Sequence, residues 1–284
     1  MSGMGRRTGG DAWYAPTGTP SNYIPKTVDS LGTILWVPVP SGGGVTLPAR
    51  PGSLPVTANL EFHHRPDDGI TMDSDNRVSD WADPDIAGKN VSQSTLLNKP
   101  TWDPQALNGQ PGVRFKRNQY LNRTTSAAIA ATDNYTIFIV LRPDFERGVY
   151  GCVAFSNGSS ANGVAILNGQ ESDAATQDRI VTIVSSVAWQ PTNFYFKHHA
   201  PTILCVERAS GTTTIYREDG ALTPTYATTP NMPTQHWVGW DGFGTRTFDG
   251  VIGDMIGYSA ALNSTDRASV MNYLGNYYMI PVAY

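Results

Sequence analysis

Short apolar runs, separated by clusters of Gly, Asn, Asp and Ser, follow one another along the chain from about residue 56 onwards. The clearest run, Tyr135–Pro143, is β-branched and aromatic throughout, which is typical of a strand that is buried on both faces. Tight turns are predicted at Asn108-Gly109, at Ser210-Gly211 and at Asp219-Gly220. Many short strands joined by such turns predict an all-β fold, a two-sheet antiparallel sandwich.

The stretch Phe248–Tyr278 closes the pattern with one strand and one helix. Four apolar residues share one parity, so a regular strand would place them all on one face: Phe248, Ile252, Ile256 and Tyr258. Asn263 is a good N-cap, Asp266 lies three residues on, and apolar residues follow at helical spacing, which predicts a short C-terminal helix. Asp254 has the same parity as Ile252 and Ile256. We interpret it as a structural carboxylate beneath the helix rather than a catalytic acid.

The first 55 residues differ from the rest because they are rich in Pro and Gly yet carry aromatic side chains. Disordered segments are poor in aromatic residues. We therefore predict an extended N-terminal arm over residues 1–55 that anchors the chain to a partner, followed by the sandwich domain over 56–284. The partner is a neighbouring chain or the main domain itself, and Pro38 and Pro40 argue against a central strand in the arm. The arm residues expected to bind are Trp13, Tyr14, Tyr23 and Trp36.

Charge and hydropathy exclude two classes of partner. A formal net charge of −4, with charged residues at only 15%, argues against a nucleic-acid surface. No apolar run reaches the roughly 18 residues that a membrane-spanning helix needs. No apolar stretch follows Arg6 and Arg7, so we expect no signal peptide and synthesis in the cytoplasm. Cys152 and Cys205 are then expected to be buried free thiols rather than a disulfide.

The sequence lacks the residue patterns of the common catalytic and metal sites. It contains no Glu-x-Asp-x-Glu strand, which would place three carboxylates on one face as glucanase chemistry requires. In a strand, the adjacent histidines His63 and His64 face opposite sides and cannot easily share a metal. The aspartate pairs Asp73/Asp75 and Asp83/Asp85 are interpreted as turn residues, with a structural calcium as the alternative. We therefore predict no cofactor, no metal and no enzymatic activity.

Aromatic residues near loops are the candidates for ligand binding. They are Trp189, Tyr195, Trp240 and Phe243, together with the acceptor Asp241 beside Trp240. Trp237 and Trp240 have opposite parity, so one is expected in the core and the other outside. The alternative is that most of these side chains pack in the core or at its rim; Trp81 and Trp102 are assigned to the core.

An ordered set of motifs resembles a known family. Val78-x-x-Trp81-x-Asp83, Lys99-Pro-Thr, Leu107-Asn-Gly-x-Pro-x-Val-Arg-Phe115 and the closing Phe248-x-Gly-x-Ile-x-Asp-x-Ile-x-Tyr258 occur in this order. Over about residues 56–280 the chain is similar to the laminin-G-like branch of the concanavalin A-like lectin/glucanase superfamily. The resemblance implies a jelly-roll sandwich that binds glycans or proteins, with hydrolysis of polysaccharides in some branches.

These observations lead to three functional hypotheses. The leading one is a structural protein of a tailed-phage virion, of the head-decoration or minor-capsid type, anchored by its arm and displaying a lectin-like sandwich. It would bind other virion structural proteins, form a homo-oligomer and bind a host or environmental glycan. The second is a tail fibre or receptor-binding protein that recognises cell-surface glycans. The third is a divergent glycoside hydrolase of the glucanase type.

Overall fold

The computed structural model describes residues 49–123, 129, 134–144, 199–220, 235–240 and 247–283 with their side chains, and the backbone of eight further strands. The chain divides into two compact units, Met1–Leu47 and Pro48–Tyr284.

The first unit contains a small antiparallel sheet of three strands, β1 (Met4–Gly5), β2 (Tyr23–Val28) and β3 (Ile34–Pro38). The order is β1-β3-β2, so β3 is the central strand. The expectation that Pro38 excludes a central strand is therefore wrong. The reason is that β1 pairs only with Ile34 and Leu35, whereas Pro38 is the last residue of β3 and pairs only with Tyr23 of β2. The missing N–H of Pro38 thus falls where only one neighbouring strand is present.

In the described residues of the second unit there are seventeen strands, a 3₁₀ turn at Leu96–Asn98 and one helix. The strands are β4 (Leu60–His64), β5 (Ile70–Met72), β6 (Val78–Trp81), β7 (Val91–Ser92), β8 (Thr101–Leu107), β9 (Gln110–Phe115), β10 (Leu121–Arg123), β11 (Tyr135–Pro143), β12 (Tyr150–Ser156), β13 (Gly163–Asn168), β14 (Arg179–Val184), β15 (Gln190–Tyr195), β16 (Thr202–Ala209), β17 (Thr212–Arg217), β18 (Gly220–Ala227), β19 (Gln235–Val238) and β20 (Gly250–Tyr258). The helix, α1, spans Ser264–Tyr278.

These strands form two antiparallel sheets. One has nine strands in the order β15-β14-β13-β12-β19-β10-β7-β6-β5, and the other has eight, in the order β18-β17-β16-β11-β20-β9-β8 with β4 also paired to β20. The fold prediction, an antiparallel jelly-roll sandwich with a short C-terminal helix, is confirmed. Two of its hairpins turn as the sequence indicated, because Asn108-Gly109 and Ser210-Gly211 all have positive φ, as a type I′ turn requires.

Two apolar layers lie on either side of the eight-stranded sheet. The inner layer, between the sheets, includes Trp81, Leu121 and Val238 from one sheet and Ile137, Ile139 and Leu141 from the other. The outer layer lies under α1 and includes Phe138, Val140, Met271 and Leu274. Strand β11 contributes alternate residues to both layers, which confirms that it is buried on both faces.

The apolar residues of the closing strand do not all face the same layer. Phe248 and Ile252 belong to the inner layer, whereas Ile256 and Tyr258 belong to the outer layer. Ile139 pairs with Met255 and Leu141 with Ile252, so a β-bulge places Gly253 and Asp254 opposite one residue of β11. The expectation of one shared face is therefore wrong, because the extra residue exchanges the two faces after Ile252.

Helix α1 begins as the sequence predicted. The side chain of Asn263 accepts a hydrogen bond from the backbone N–H of Asp266 at 2.9 Å, and its amide donates to the Asp266 carboxylate at 2.7 Å. Seven of its residues are buried against the sheet: Val270, Met271, Tyr273, Leu274, Gly275, Tyr277 and Tyr278. Within the described part of the chain, no helix is long and apolar enough to cross a membrane.

Cys205 of β16 is a buried free thiol, as expected, and burial raises its pKa well above the ordinary value. The side chain of Cys152, in β12, lies outside the described residues.

Candidate ligand-binding surface

Three aromatic rings come together on the outer side of the nine-stranded sheet. On β19, His236 and Val238 are fully buried toward the core, so Trp237 between them faces the other way. Its ring is 4.6 Å from that of Trp240 at an interplanar angle of 85°. The ring of Tyr120 is 5.7 Å from Trp237 and 5.1 Å from Trp240. We call Tyr120, Trp237 and Trp240 the aromatic cluster.

A glycine brings the two tryptophans to the same side. Gly239 has φ of 83°, a conformation that favours glycine, and a side chain there would run into the ring of Phe115. The chain therefore turns after Val238, and Trp240 forms an isolated bridge with Thr247 instead of continuing β19. Trp237 is buried and Trp240 half-buried, in line with the expected difference, but their rings touch because strand parity does not continue through this turn.

Backbone and side-chain hydrogen bonds hold the cluster in place. The N–H of Tyr120 donates to the carbonyl of Asn98 at 3.0 Å. The indole N–H of Trp237 donates to the Gln235 side chain at 3.1 Å. Trp237 is 9% exposed, and Trp240 and Tyr120 are half-buried. The rings of Tyr120 and Trp240 are therefore partly accessible, and the buried Trp237 supports them.

Exposed apolar residues precede Asn98 in the chain. Leu96 is 52% exposed and Leu97 is 85% exposed, in the 3₁₀ turn that leads to the backbone contact with Tyr120. The turn before Tyr120 supplies polar groups. The backbone N–H of Asn118 donates to the Thr247 hydroxyl at 3.0 Å, and the side chain of Asn118 is exposed. Aromatic rings bordered by a few polar groups are the common composition of a small-molecule site.

Of the ligand-binding residues predicted from the sequence, the structure describes only Trp240 with its side chain. Trp189, Asp241 and Phe243 lie outside the described residues, as do Trp13 and Tyr14 of the arm. Tyr195, Tyr23 and Trp36 lie in β15, β2 and β3, whose side chains are not described. Tyr120 was missed, because nothing in its sequence surroundings indicates that it meets two tryptophans about 120 residues away. The assignment of Trp81 to the core is confirmed, and Trp102 packs against the core half-buried.

Asp254 is structural, as interpreted from the sequence. Its carboxylate is completely buried beneath α1 and accepts a hydrogen bond from the Tyr278 hydroxyl at 2.7 Å. It also contacts Nε2 of His63 at 2.9 Å and Arg50 at 2.6 Å. Burial alone would raise its pKa, but the charge of Arg50 and the His63 hydrogen bond outweigh burial, and the pKa lies well below the ordinary value. A carboxylate that is so enclosed and so firmly ionised cannot protonate a ligand.

A second pair of carboxylates lies nearer the surface, where β11 ends and β20 begins. The backbone N–H of Asp144 donates to the carbonyl of Asp249 at 3.1 Å. Arg114 and Arg142 pair with the Asp144 carboxylate at 2.5 Å and 2.8 Å. Burial raises the pKa of Asp249, and the charge of Asp144 raises it further. Asp249 follows Thr247, the bridge partner of Trp240, by two residues, and its raised pKa favours the protonated form.

The remaining candidates have structural roles. The Asp83 carboxylate accepts from the backbone N–H of Asp85 at 2.8 Å and of His63 at 2.6 Å. The Asp73 carboxylate accepts from the N–H groups of Asp75 and Arg77, both at 3.0 Å. The bonds from Asp75, Arg77 and Asp85 are local turn bonds, whereas the bond from His63 ties the Asp83 turn to β4. Among the described residues, no three His, Cys, Asp or Glu side chains are grouped so that they could hold a metal.

Comparison with known proteins connects the fold to carbohydrate-active enzymes. No family model matches the chain, and no curated protein matches it. A GH54 α-L-arabinofuranosidase soaked with a cyclic sulfate inhibitor matches at a TM-score of 0.55 and 12% identity, over 73% of this chain and 52% of that chain. Trypanosoma rangeli sialidase in complex with sialic acid matches at a TM-score of 0.57 and 13% identity, over 84% of this chain and 37% of that chain.

The chain therefore spans about half of the arabinofuranosidase and little more than a third of the sialidase. At this identity the likeness establishes a fold, the β-sandwich found in glycoside hydrolases and sialidases. These matches give no evidence for the laminin-G branch or for a phage role, so those parts of the sequence interpretation stay predictions.

The comparisons contradict the prediction that the protein is not an enzyme, because the structures that share its fold are glycoside hydrolases. The prediction depended on the missing Glu-x-Asp-x-Glu strand. That reasoning was too narrow, since two carboxylates can also act on each other from the ends of different strands: the backbones of Asp144 and Asp249 are hydrogen-bonded, and the charge of Asp144 raises the pKa of Asp249.

Proposed function

We propose that the Pro48–Tyr284 unit binds carbohydrate on the aromatic cluster. The observation that carries the proposal is the meeting of Tyr120, Trp237 and Trp240 on one outward face, with ring centroids 4.6–5.7 Å apart. Aromatic rings offer a large apolar face to the C–H groups of a sugar ring, and the polar rim can bond its hydroxyls. Solved structures of the same fold include an arabinofuranosidase and a sialidase bound to sialic acid, and this supports the choice of ligand class.

Titration of the full chain with a glycan panel tests this function. The panel contains arabinofuranosyl-xylo-oligosaccharides, sialosides and neutral hexose oligomers. Trp240→Ala is expected to weaken binding of the preferred glycan about tenfold or more, equivalent to about 1.4 kcal/mol. Trp240→Phe retains a ring and is expected to lose less.

Met72→Ala is the matched control, since Met72 is an exposed apolar residue on the same sheet. It lies on β5, four strands from β19, or roughly 19 Å at about 4.8 Å per strand. Equal loss in Met72→Ala and Trp240→Ala, or no binding to any member of the panel, would refute the proposal.

A hydrolytic version of this function rests on Asp144 and Asp249. Asp249 would donate a proton to the leaving oxygen of a glycan held on the aromatic cluster as the bond from that oxygen to the anomeric carbon breaks, and the ionised Asp144 would take a proton from the water that attacks this carbon. The same titrations, followed by chromatography for released sugars, test it. Release that is lost in Asp249→Asn and kept in Asp75→Asn, a change at an exposed aspartate, would support the assignment. Release unchanged in Asp249→Asn would exclude it.

We also propose that Met1–Leu47 attaches the sandwich to a structural protein of a tailed-phage virion. The support is that these residues form a compact unit of their own with a small sheet, and that they carry four aromatic residues, Trp13, Tyr14, Tyr23 and Trp36. The full chain is expected to co-sediment with phage particles that lack it, whereas Pro48–Tyr284 is not. If the bound chain is labelled and located on the particles, a position at the head would favour decoration, and a position at the tail would favour receptor binding. Equal sedimentation of both chains would refute attachment through the first unit.

A further inference from the structure

Two carboxylates of the second unit hold one guanidinium group. Asp67 accepts hydrogen bonds from Nε and Nη2 of Arg50, both at 2.7 Å. Asp254 accepts from Nη1 at 2.6 Å and from Nη2 at 3.0 Å. Both forked edges of the group are therefore occupied by a carboxylate, which is the geometry that a planar guanidinium satisfies and an ammonium does not.

Tyrosines of α1 complete the enclosure. The ring of Tyr277 lies 4.1 Å from the guanidinium carbon of Arg50, a cation–π contact. The hydroxyl of Tyr273 lies 3.3 Å from Nη1. We call Asp67, Asp254, Tyr273 and Tyr277 the guanidinium cage.

The cage is organised by groups other than Arg50. Tyr278 donates its hydroxyl proton to Asp254 and accepts from the backbone N–H of the same residue at 3.0 Å. His63 contacts the second carboxylate oxygen. The carboxylate of Asp254 is thus oriented by β4, β20 and α1, which all lie after the segment that carries Arg50.

Arg50 belongs to a segment that is not part of either sheet. Residues 49–56, which we call the strap, contain no strand and follow directly on the first unit, which ends at Leu47. Apart from Arg50, the strap is held by the packing of Leu54 and Val56 in the outer apolar layer and by a hydrogen bond from the Tyr258 hydroxyl to the carbonyl of Val56 at 2.9 Å.

We propose that the cage is a binding site for a guanidinium group and that Arg50 fills it to latch the strap onto the sandwich. The strap itself is thereby fixed at a defined point on the sandwich. Without its arginine, the cage is a buried, negatively charged site shaped for a free guanidinium ion.

Chemical rescue of Arg50→Ala in the full chain tests the site. The variant is expected to lower Tm by more than about 5 °C, because it leaves the Asp254 carboxylate buried without its cation. Methylguanidinium at millimolar concentration is then expected to raise Tm in a concentration-dependent manner, since a ligand that binds only the folded state stabilises it by mass action. Urea, which has a similar planar shape but no charge, is expected to have no such effect.

The double variant Arg50→Ala/Asp254→Asn and the unchanged protein are the matched controls. Neither is expected to be stabilised by methylguanidinium, because one lacks the buried carboxylate and the other has a filled cage. Equal stabilisation of either control, equal stabilisation by urea, or no rescue of Arg50→Ala would overturn the proposal.

Arg50→Lys supplies a second test should Arg50→Ala not fold. Lysine retains the charge and cannot occupy both forked edges. Hydrogen exchange of strap amides in this variant is expected to be at least about tenfold faster than in the unchanged protein, while that of β20 amides is unchanged. Strap amides that exchange at the unchanged rate would show that Leu54 and Val56 hold the strap and that the cage is not a latch.

Discussion

At the scale of single residues, two neighbouring histidines show how strand parity separates environments. On β4, His63 lies beneath α1 against Asp254, whereas His64 lies between the sheets, 5.8 Å from the ring of Trp81 and 5.6 Å from that of His236. This confirms that the adjacent pair faces opposite sides. Burial, followed by the charges of Arg123 and His63, lowers the pKa of His64 to about 3.

This pKa predicts an acid-sensitive fold. The unfolded chain protonates His64 near its ordinary pKa of about 6.5, whereas the folded chain does not until about pH 3. The contribution to stability is therefore complete above pH 6.5 and decreases as the pH falls toward 3, by up to about 1.4 kcal/mol per pH unit. Denaturant unfolding between pH 7 and 4.5 is expected to show this slope, in a range above most carboxylate titrations.

His64→Phe is expected to reduce the slope of the unfolding free energy against pH by the amount that corresponds to about one proton taken up on unfolding. A residual slope is expected from His236, whose pKa is also lowered, mainly by burial. His199→Asn is the control, because His199 is exposed and its positive φ suits asparagine. A slope that His64→Phe leaves unchanged would contradict the prediction.

At the scale of elements, the bulge in β20 decides what the closing strand does. Because two residues of β20, Gly253 and Asp254, lie opposite one residue of β11, Ile252 faces the inner layer and Ile256 faces the outer layer. The same bulge places the Asp254 carboxylate beside Tyr278 and Arg50. The strand and the helix were predictable from periodicity, whereas the change of face was not, since it depends on pairing with β11.

Gly253 is expected to be essential to this bulge. A Cβ at this position would lie 2.8 Å from both Cδ1 of Leu107 and the hydroxyl oxygen of Tyr278. Because that hydroxyl is hydrogen-bonded to Asp254, it cannot move away easily. Gly253→Ala is expected to lower the free energy of unfolding by roughly 1–3 kcal/mol. Gly52→Ala, where a Cβ would meet nothing within 4 Å, is the control and is expected to change it little.

The helix start supplies an independent test at this scale. Removing the capping oxygen with Asn263→Ala is expected to cost about 1 kcal/mol of unfolding free energy, because the N–H of Asp266 loses its acceptor. Asn263→Ser retains an acceptor and is expected to lose much less. Equal losses in the two variants would show that the cap is not what stabilises this helix.

At the scale of the whole molecule, the two compact units divide the protein at Leu47 and Pro48. The arm predicted over residues 1–55 includes Arg50 and Leu54, whereas both residues pack on the second unit. The change in Pro and Gly content along the chain could not reveal this, because the partner of Arg50 lies 204 residues away.

Truncation tests this division. A chain of residues 48–284 is expected to unfold cooperatively, with the same midpoint as the second unit of the full chain. A chain of residues 56–284 lacks Arg50 and Leu54, and it is expected to be less stable by roughly 3 kcal/mol or more, because the Asp254 carboxylate is left buried without its cation. Equal denaturant midpoints for the two fragments would contradict the role of residues 49–55.

The sequence by itself determined the features that depend on neighbouring residues. Asn108-Gly109 and Ser210-Gly211 turn hairpins because they accept positive φ, Asn263 starts α1, and the apolar run of β11 is buried on both faces. Only the tertiary structure decided which distant residues meet. Gly239 turns Trp240 onto Trp237 and Tyr120, and the bulge brings Asp254 to Arg50. The physical reason is that strand parity fixes a face only while the ladder is regular, and at both of these positions it is not.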